Sequence, residues 1–360
     1  MDCNPSFLVY MVYNTTVTLL TFVKGAMFYV DLHFSTLLLQ QIVNGLSLGS
    51  VYALIAVGYS LVYSILSFSN FAHGGFLVVG GYICYGVFCG FKANILSYTL
   101  FSVPAIPNIL IAGGCALVGA GMVAILTERL AYKPIRERTS MTLYLLIASM
   151  GVSIVIENTF VVLVGGRFRA IPQEAFEGIF AYLERILAFF GANISNSTIY
   201  LGNGVTASMF DILTFIMAIV FLSGLQLFLT RTRWGLAIRA AACDLRTAGL
   251  MGVNTALLIA IVFFTAGLLA AVGGIFLAVR YTLYPTLGAI TIKAFVAAVI
   301  GGLGSLPGAV VGSMVLGLAE MLTAGFISSQ MRDLVVFSML VVMLLVKPAG
   351  FFGKQVSDKI

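Results

Sequence analysis

Nine apolar stretches, each closed by polar or helix-breaking residues, divide most of the chain: near 37–63, 76–91, 106–127, 141–164, 208–229, 256–279, 290–304, 308–328 and 333–347. A helix needs roughly 17–25 mostly apolar residues to cross a bilayer. The pattern predicts an all-α, polytopic transmembrane helical bundle of about 8–9 spans. Two stretches, 290–304 and 333–347, are short for a span. The first runs into Gly301-Gly302-Leu303-Gly304-Ser305-Leu306-Pro307-Gly308, a helix breaker near 301–308. A second break, Ser67-Phe68-Ser69-Asn70-Phe71-Ala72-His73-Gly74-Gly75, lies between the first two stretches. Polar, broken backbone is costly in lipid and persists only where protein or a water-filled path covers it. Both breaks are therefore expected at a pathway or a helix-packing device.

Composition narrows the class. Of 360 residues, 61% are apolar and 9% charged, and the mean hydropathy is +1.09. Soluble domains carry about 25% charged residues, so most of this apolar surface must meet lipid or other spans. The 38 glycines suit close helix approach in a membrane. The five cysteines (Cys3, Cys84, Cys89, Cys115 and Cys243) have no metal-ligand or redox spacing and read as packing residues. Residues 1–36, interrupted by Lys24 and Asp31, lack a basic leader and read as an extension. A membrane domain over 37–354 and a cytoplasmic tail over 355–360 follow it.

Charge placement orients the spans. Arg129, Lys133, Arg136 and Arg138 form one basic loop; Arg231, Arg233, Arg239 and Arg246 form another; Lys347, Lys354 and Lys359 mark the tail. The positive-inside rule puts all three in the cytoplasm. Even numbers of spans join them, so the scheme closes. It places the start of 37–63 outside, and the 67–75 break at or near that span's cytoplasmic end. The break at 301–308 falls on the same side. The stretch 165–207 is then external, with an interfacial helix expected from Ile179 to Phe190. Asn193 and Asn196 match the N-glycosylation pattern, which carries little weight here.

Several function classes fall away. No G-x-x-x-x-G-K-[S/T] loop is present, and the two histidines, His33 and His73, form no Ser/His/Asp set. The chain reads as no enzyme. Its net charge of +6 sits in short loops, which is no argument for nucleic acid. The informative residues are ionisable groups inside spans, which cost about 2.5–3.5 kcal/mol each at the bilayer centre. These are His73, Glu157 (beside Asn158), Lys293 and Glu320. Lys293 and Glu320 lie on neighbouring spans and are expected to pair. In the second basic loop, Leu245, Ala248, Gly249 and Met251 give one small apolar face. That face suits docking into a partner's groove, or a helix lying on anionic lipid.

Taken together, these motifs resemble the permease subunit of branched-chain amino acid ABC transporters, the first of its two permease types. The run from Gln40-Gln41-Ile42-Val43-Asn44-Gly45 to Gly58-Tyr59 is similar to that family's first span. Asn70-Phe71-Ala72-His73-Gly74 is similar to its next element, and Glu128 to Arg136 to its first cytoplasmic loop. Gly235 to Asn254 resembles the segment that contacts the ATPase. Lys293-Ala294-Phe295 through Ala309, then Leu316 to Glu320, resembles its C-terminal signature. The resemblance covers about 38–354. Departures are Gly75, where many members carry Glu, the stretch 176–205, and residues 1–36, in which Met27 is an alternative start.

The resemblance implies an importer of branched-chain or other apolar amino acids in the inner membrane. Its partners are a second permease subunit, two cytoplasmic ATPase subunits that use the ATP, an extracytoplasmic amino-acid-binding protein and membrane lipid. This chain is expected to bind no cofactor and no metal. Path or gate candidates are Asn44, Asn70, His73, Gly74, Glu157, Asn158, Lys293 and Glu320. Candidates for ATPase coupling are Gly235, Arg239, Asp244, Leu245, Ala248, Leu250 and Gly252. Urea or short amides as cargo, and a transporter or channel working alone, are the competing readings.

Overall fold

The computed structural model describes residues 5–95, 98–103, 106, 108–139, 141–189, 194–195, 198–200 and 205–353, with side chains from Phe34 onward outside 91–105 and 186–197. Lys354, Lys359, the 355–360 tail, Phe190, Asn193 and Asn196 lie outside the described residues.

Among those residues, seven helices are long and apolar enough to cross a membrane. The first is the Phe34–Leu66 part of α1 (Pro5–Leu66). A shorter helix, α2 (His73–Cys89), follows, then α3 (Ile109–Thr127). The basic segment after α3 is helical too: a π turn, Glu128–Tyr132, leads into α4 (Lys133–Arg138). This corrects the expected loop. The external half carries α5 (Thr142–Val164) out to a 3-10 turn, Gln173–Phe176, and the amphipathic α6 (Glu177–Phe189). Phe176 and Phe180 are buried, and the Phe176 ring meets Phe210 at 5.7 Å.

α7 (Met209–Arg231) returns inward to the short α8 (Arg233–Cys243) and α9 (Leu245–Leu250). α10 (Thr255–Tyr281) leads out again. A 3-10 turn, Pro285–Ile290, runs into α11 (Thr291–Gly301), and α12 (Leu306–Phe326) and α13 (Arg332–Val346) complete the bundle. Two small antiparallel sheets accompany the helices: β1 (Phe91–Ile95) with β2 (Tyr98–Val103), and β3 (Ile194–Ser195), β4 (Thr198–Tyr200) and β5 (Thr206–Ser208).

Local sequence explains the boundaries. Asn108, Ser208, Thr232, Asp244, Asn254 and Ser305 each accept a backbone N–H from the helix they precede. Gly302, at φ 106°, ends α11 in a conformation that side chains rarely adopt. The residue after α1, Ser67, is left-handed at φ 51° without being glycine, and its N–H bonds the Tyr63 carbonyl.

Two halves of the bundle share one plan. A long helix, a break, a short helix and a second long helix appear as α1–α2–α3 and again as α10–α11–α12. The short helices, His73–Cys89 and Pro285–Gly301, are of equal length. Positive-inside orientation runs α1 inward and α10 outward, so the two units are inverted with respect to each other. Each unit's first helix packs on the other's last: α1 on α12 and α10 on α3. Glycine permits both contacts. A Cβ on Gly45 would lie 2.9 Å from the Leu318 backbone, and one on Gly267 would lie 2.8 Å from the Ala120 carbonyl. The closing helices even share spelling, Met122-Val123, Leu126, Glu128 and Leu130 against Met314-Val315, Leu318, Glu320 and Leu322.

Burial separates core from periphery. The most apolar window of α1 is 94% buried and that of α10 is 67% buried, whereas those of α5 and α13 are 6% buried. α1 is the central post, and α5 and α13 are outer walls.

Candidate functional site

Depth along α1 can be read from its partners. Ser47 bonds Asp211, near the outer start of α7, at 2.6 Å, and Arg280, near the outer end of α10, at 2.8 Å. Ser47 therefore marks the external side and Leu66 the cytoplasmic side. At 1.5 Å per residue the stretch between them is about 30 Å long, the thickness of the hydrocarbon core.

The 67–75 break is not confined to the cytoplasmic end of α1, which corrects its expected position. After Leu66 the chain folds back along α1, and His73 Nε2 comes within 3.1 Å of the Ile55 carbonyl oxygen. Ile55 is about 12 Å below Ser47 and about 16 Å above Leu66, so α2 starts near mid-membrane. The physical reason is polar satisfaction within protein. Asn70 Oδ1 accepts from Ala72 N–H at 3.2 Å and from the Tyr132 hydroxyl at 2.7 Å. The Ser149 hydroxyl of α5 accepts from Phe71 N–H at 3.1 Å. Asn70 and His73 are buried. Asn70 Nδ2 and His73 Nδ1 have no partner among the described residues. Gly74 makes the return possible: a Cβ there would meet the Gly288 carbonyl at 2.7 Å and Thr291 Oγ1 at 2.8 Å. The first turns of the two short helices thus touch near the membrane centre.

The other break runs from Gly302 to Ser305 on the cytoplasmic side, where Gly304 faces Ser64 of α1. Its backbone is closed by the chain's return after α13: Phe351 and Phe352 N–H groups bond the Ile300 and Gly301 carbonyls, both at 2.9 Å.

The charged candidates separate into two groups. Lys293 and Glu320 form an ion pair at 2.9 Å. Two further groups, which the sequence did not single out, complete it: Asp333 lies 2.7 Å from the Lys293 ammonium, and the Tyr52 hydroxyl donates to Glu320 at 2.9 Å. Glu157 is half-buried on α5 and accepts from the Ser153 hydroxyl at 3.2 Å. It joins no ion pair among the described residues. It faces Gly288, whose Cβ position would lie 3.1 Å from Glu157 Oε1. Asn158 points away, exposed, with its amide on the Ile154 carbonyl at 2.8 Å. Asn44 sits near the external end and accepts from Gln40 at 3.2 Å, while Gln40 also bonds both backbone groups of Thr206.

Two other, partly buried ion pairs escaped the sequence reading. Arg280–Asp211 closes at 2.9 Å on the external side, and Glu128–Arg136 at 3.0 Å on the cytoplasmic side. The i+8 spacing of the latter became readable only once the π turn placed both ends on one helical unit.

The coupling candidates form a compact cytoplasmic pair of helices. Gly235 is buried where a Cβ would strike the Leu229 and Phe228 carbonyls at 2.4 Å, which fixes the turn from α7 into α8. Asp244 caps α9 by accepting from Arg246 N–H at 2.8 Å and Thr247 N–H at 3.2 Å. The Thr247 hydroxyl donates to it as well. These bonds, led by the Thr247 hydroxyl, hold its carboxyl below the usual carboxylate range. Ala248 is buried, Leu245 is half-buried, and Arg239 and Gly252 are exposed. Leu250 and Met251 are 83% and 81% exposed at the tip.

The chain matches the family described as branched-chain amino acid transport system / permease component over residues 41–344. It is 35% identical to the high-affinity branched-chain amino acid transport system permease protein BraD of Pseudomonas aeruginosa, covering 89% of this chain and 98% of that protein. It is also 35% identical to the permease protein LivH of Escherichia coli K12, covering 89% of this chain and 97% of that one. No solved structure matches the chain.

Proposed function

The chain belongs to the permease-component family of branched-chain amino acid transport systems, and we propose that it forms, with a second and different permease, the inward path for a branched-chain or other apolar amino acid. Two cytoplasmic ATPase subunits supply the energy, and an extracytoplasmic binding protein delivers the cargo. The observation that carries this reading is the α8–α9 pair. It is held stiffly by Gly235 and the Asp244 cap, yet it ends in the bare apolar tip Leu250-Met251 on the basic side of the membrane. An exposed apolar knob on a rigid mount suits a groove on a cytoplasmic partner. Movement there reaches the path through α7 and α10, the helices that flank it. In each state the path must offer different contacts to its cargo and to its partners.

Uptake into proteoliposomes tests the proposal. Leucine enters when this chain is assembled with its partner permease, the ATPases, ATP and the binding protein, and entry stops when the ATPases are left out. Leucine entry through the purified chain alone contradicts the proposal. A binding protein that takes urea or a short amide in place of leucine contradicts the choice of cargo.

A further inference from the structure

One face of the bundle keeps polar and aromatic groups in the open within the membrane. The helix Pro285–Gly301 packs on α5 on one side and on α13 on the other. Between them it leaves Thr286, Ala289 and Ile292 exposed and Phe295 half-buried, recurring every third residue. Partway along this stripe, beyond Ile292, the exposed carboxylate of Asp333 holds the Lys293 ammonium at 2.7 Å. Nearer its outer start, facing Gly288, lies Glu157, with Ser153 and no ion pair among the described residues. At its inner end a cavity of about 400 Å³ opens, lined by Tyr63, Phe295, Leu303 and Leu340. The Phe71 ring stands 5.7 Å from Phe295 beside it. By contrast, the exposed face of α3 presents Leu110, Val118, Met122 and Leu126, the side chains that lipid accepts.

We propose that this stripe is the cargo-facing wall of the path, and that Glu157 receives the ammonium group of the amino acid. The assignment rests on the permease reading above and names the face and the residue. A carboxylate at this depth is retained where a cation meets it, and an amino-acid zwitterion brings one. The carboxylate end of the cargo then lies toward Lys293. Its apolar side chain lies along Ile292 and the Phe295–Tyr63 cavity, a lining that is mostly apolar with few polar groups. Lys293, already shared by Glu320 and Asp333, releases one of two acids as the cargo passes and retains the other.

The test uses the assembled transporter in vesicles, with the five cysteines of this chain replaced by serine or alanine and one new cysteine added. Thr286→Cys and Ile292→Cys are compared with Val118→Cys on the α3 face. A water-soluble methanethiosulfonate labels the first two about tenfold faster than the third, since a hydrated thiolate attacks its sulfenyl sulfur, forms a mixed disulfide and expels methanesulfinate. Saturating leucine with binding protein and ATP slows the labelling of Thr286→Cys and Ile292→Cys. Equal rates at all three positions, or labelling that leucine leaves unchanged, overturn the wall. Leucine uptake by the unlabelled, cysteine-free complex is measured in parallel. Absence of uptake there and in the unmodified complex overturns the permease reading, whereas uptake with slow or leucine-insensitive labelling overturns the wall alone.

Discussion

The return at 67–75 and the stripe at 286–295 are both polar features at membrane depth, and they are built in opposite ways. In the first, Asn70 and His73 are wholly enclosed, with partners drawn from α1, the π turn and the chain itself. In the second, polar groups meet one another only in part and stay open to one side. Enclosed polar groups at such depth fix an architecture, since a missing partner leaves a buried donor or acceptor unmet. Open ones await something that is not lipid. The path or gate candidates that the sequence grouped together thus divide: Asn70 and His73 are enclosed, whereas Glu157 and Lys293 border the stripe that we propose as the transport surface.

Substitutions can break that division. The largest loss of stability is expected from Gly74→Val, whose side chain has the Gly288 carbonyl on one side and Thr291 on the other. Overpacking typically costs about 1–3 kcal/mol or more, and here backbone limits any relaxation. A failure to recover folded protein in detergent, while wild type is recovered, is the expected outcome. Asn70→Ala comes next. It leaves the buried Tyr132 hydroxyl and the Ala72 N–H without their acceptor, at about 1–3 kcal/mol for each group. Its thermal midpoint falls, and Asn70→Asp, which keeps an acceptor, recovers part of the loss. Asp244→Ala leaves the membrane core intact and its melting nearly unchanged. It loosens α9 and lowers the ATPase stimulation caused by loaded binding protein. Glu157→Gln has the smallest effect on stability, because the side chain makes no ion pair among the described residues, and it acts on uptake.

Much of the fold was readable from hydropathy and charge because a lipid solvent punishes exceptions strongly. Each of the nine stretches contains or overlaps one observed helix, and the Lys293–Glu320 pair followed from opposite charges on neighbouring spans. What escaped depends on distance in three dimensions. Nothing in the local sequence of Tyr132 reveals that its hydroxyl meets Asn70, 62 residues away. Asp333 sits at the very start of an apolar run and reads as an edge residue until α13 folds beside α11. The basic segment after α3 reads as a loop because Lys133-Pro134 interrupts it, yet proline is tolerated in a helix's first turn. The inverted repeat left only a faint echo in sequence, although matching positions of the two closing helices are buried alike, as Ala120 with Gly312, Ala124 with Leu316 and Glu128 with Glu320.

Glu157 also bears on Gly75, where the resemblance leads one to expect an acid. Gly75 packs against Ile156, with a Cβ position 2.8 Å from that side chain. At this level of the membrane the acid stands on α5, one residue further along.

The most direct measurement is leucine uptake per folded complex, set against thermal midpoint, for Asn70→Ala and Glu157→Gln side by side. The account predicts that Asn70→Ala melts earlier but transports nearly normally per folded complex. It predicts that Glu157→Gln melts like wild type and loses most of its uptake. Normal uptake by a stable Glu157→Gln complex, with uptake abolished in folded Asn70→Ala, contradicts it.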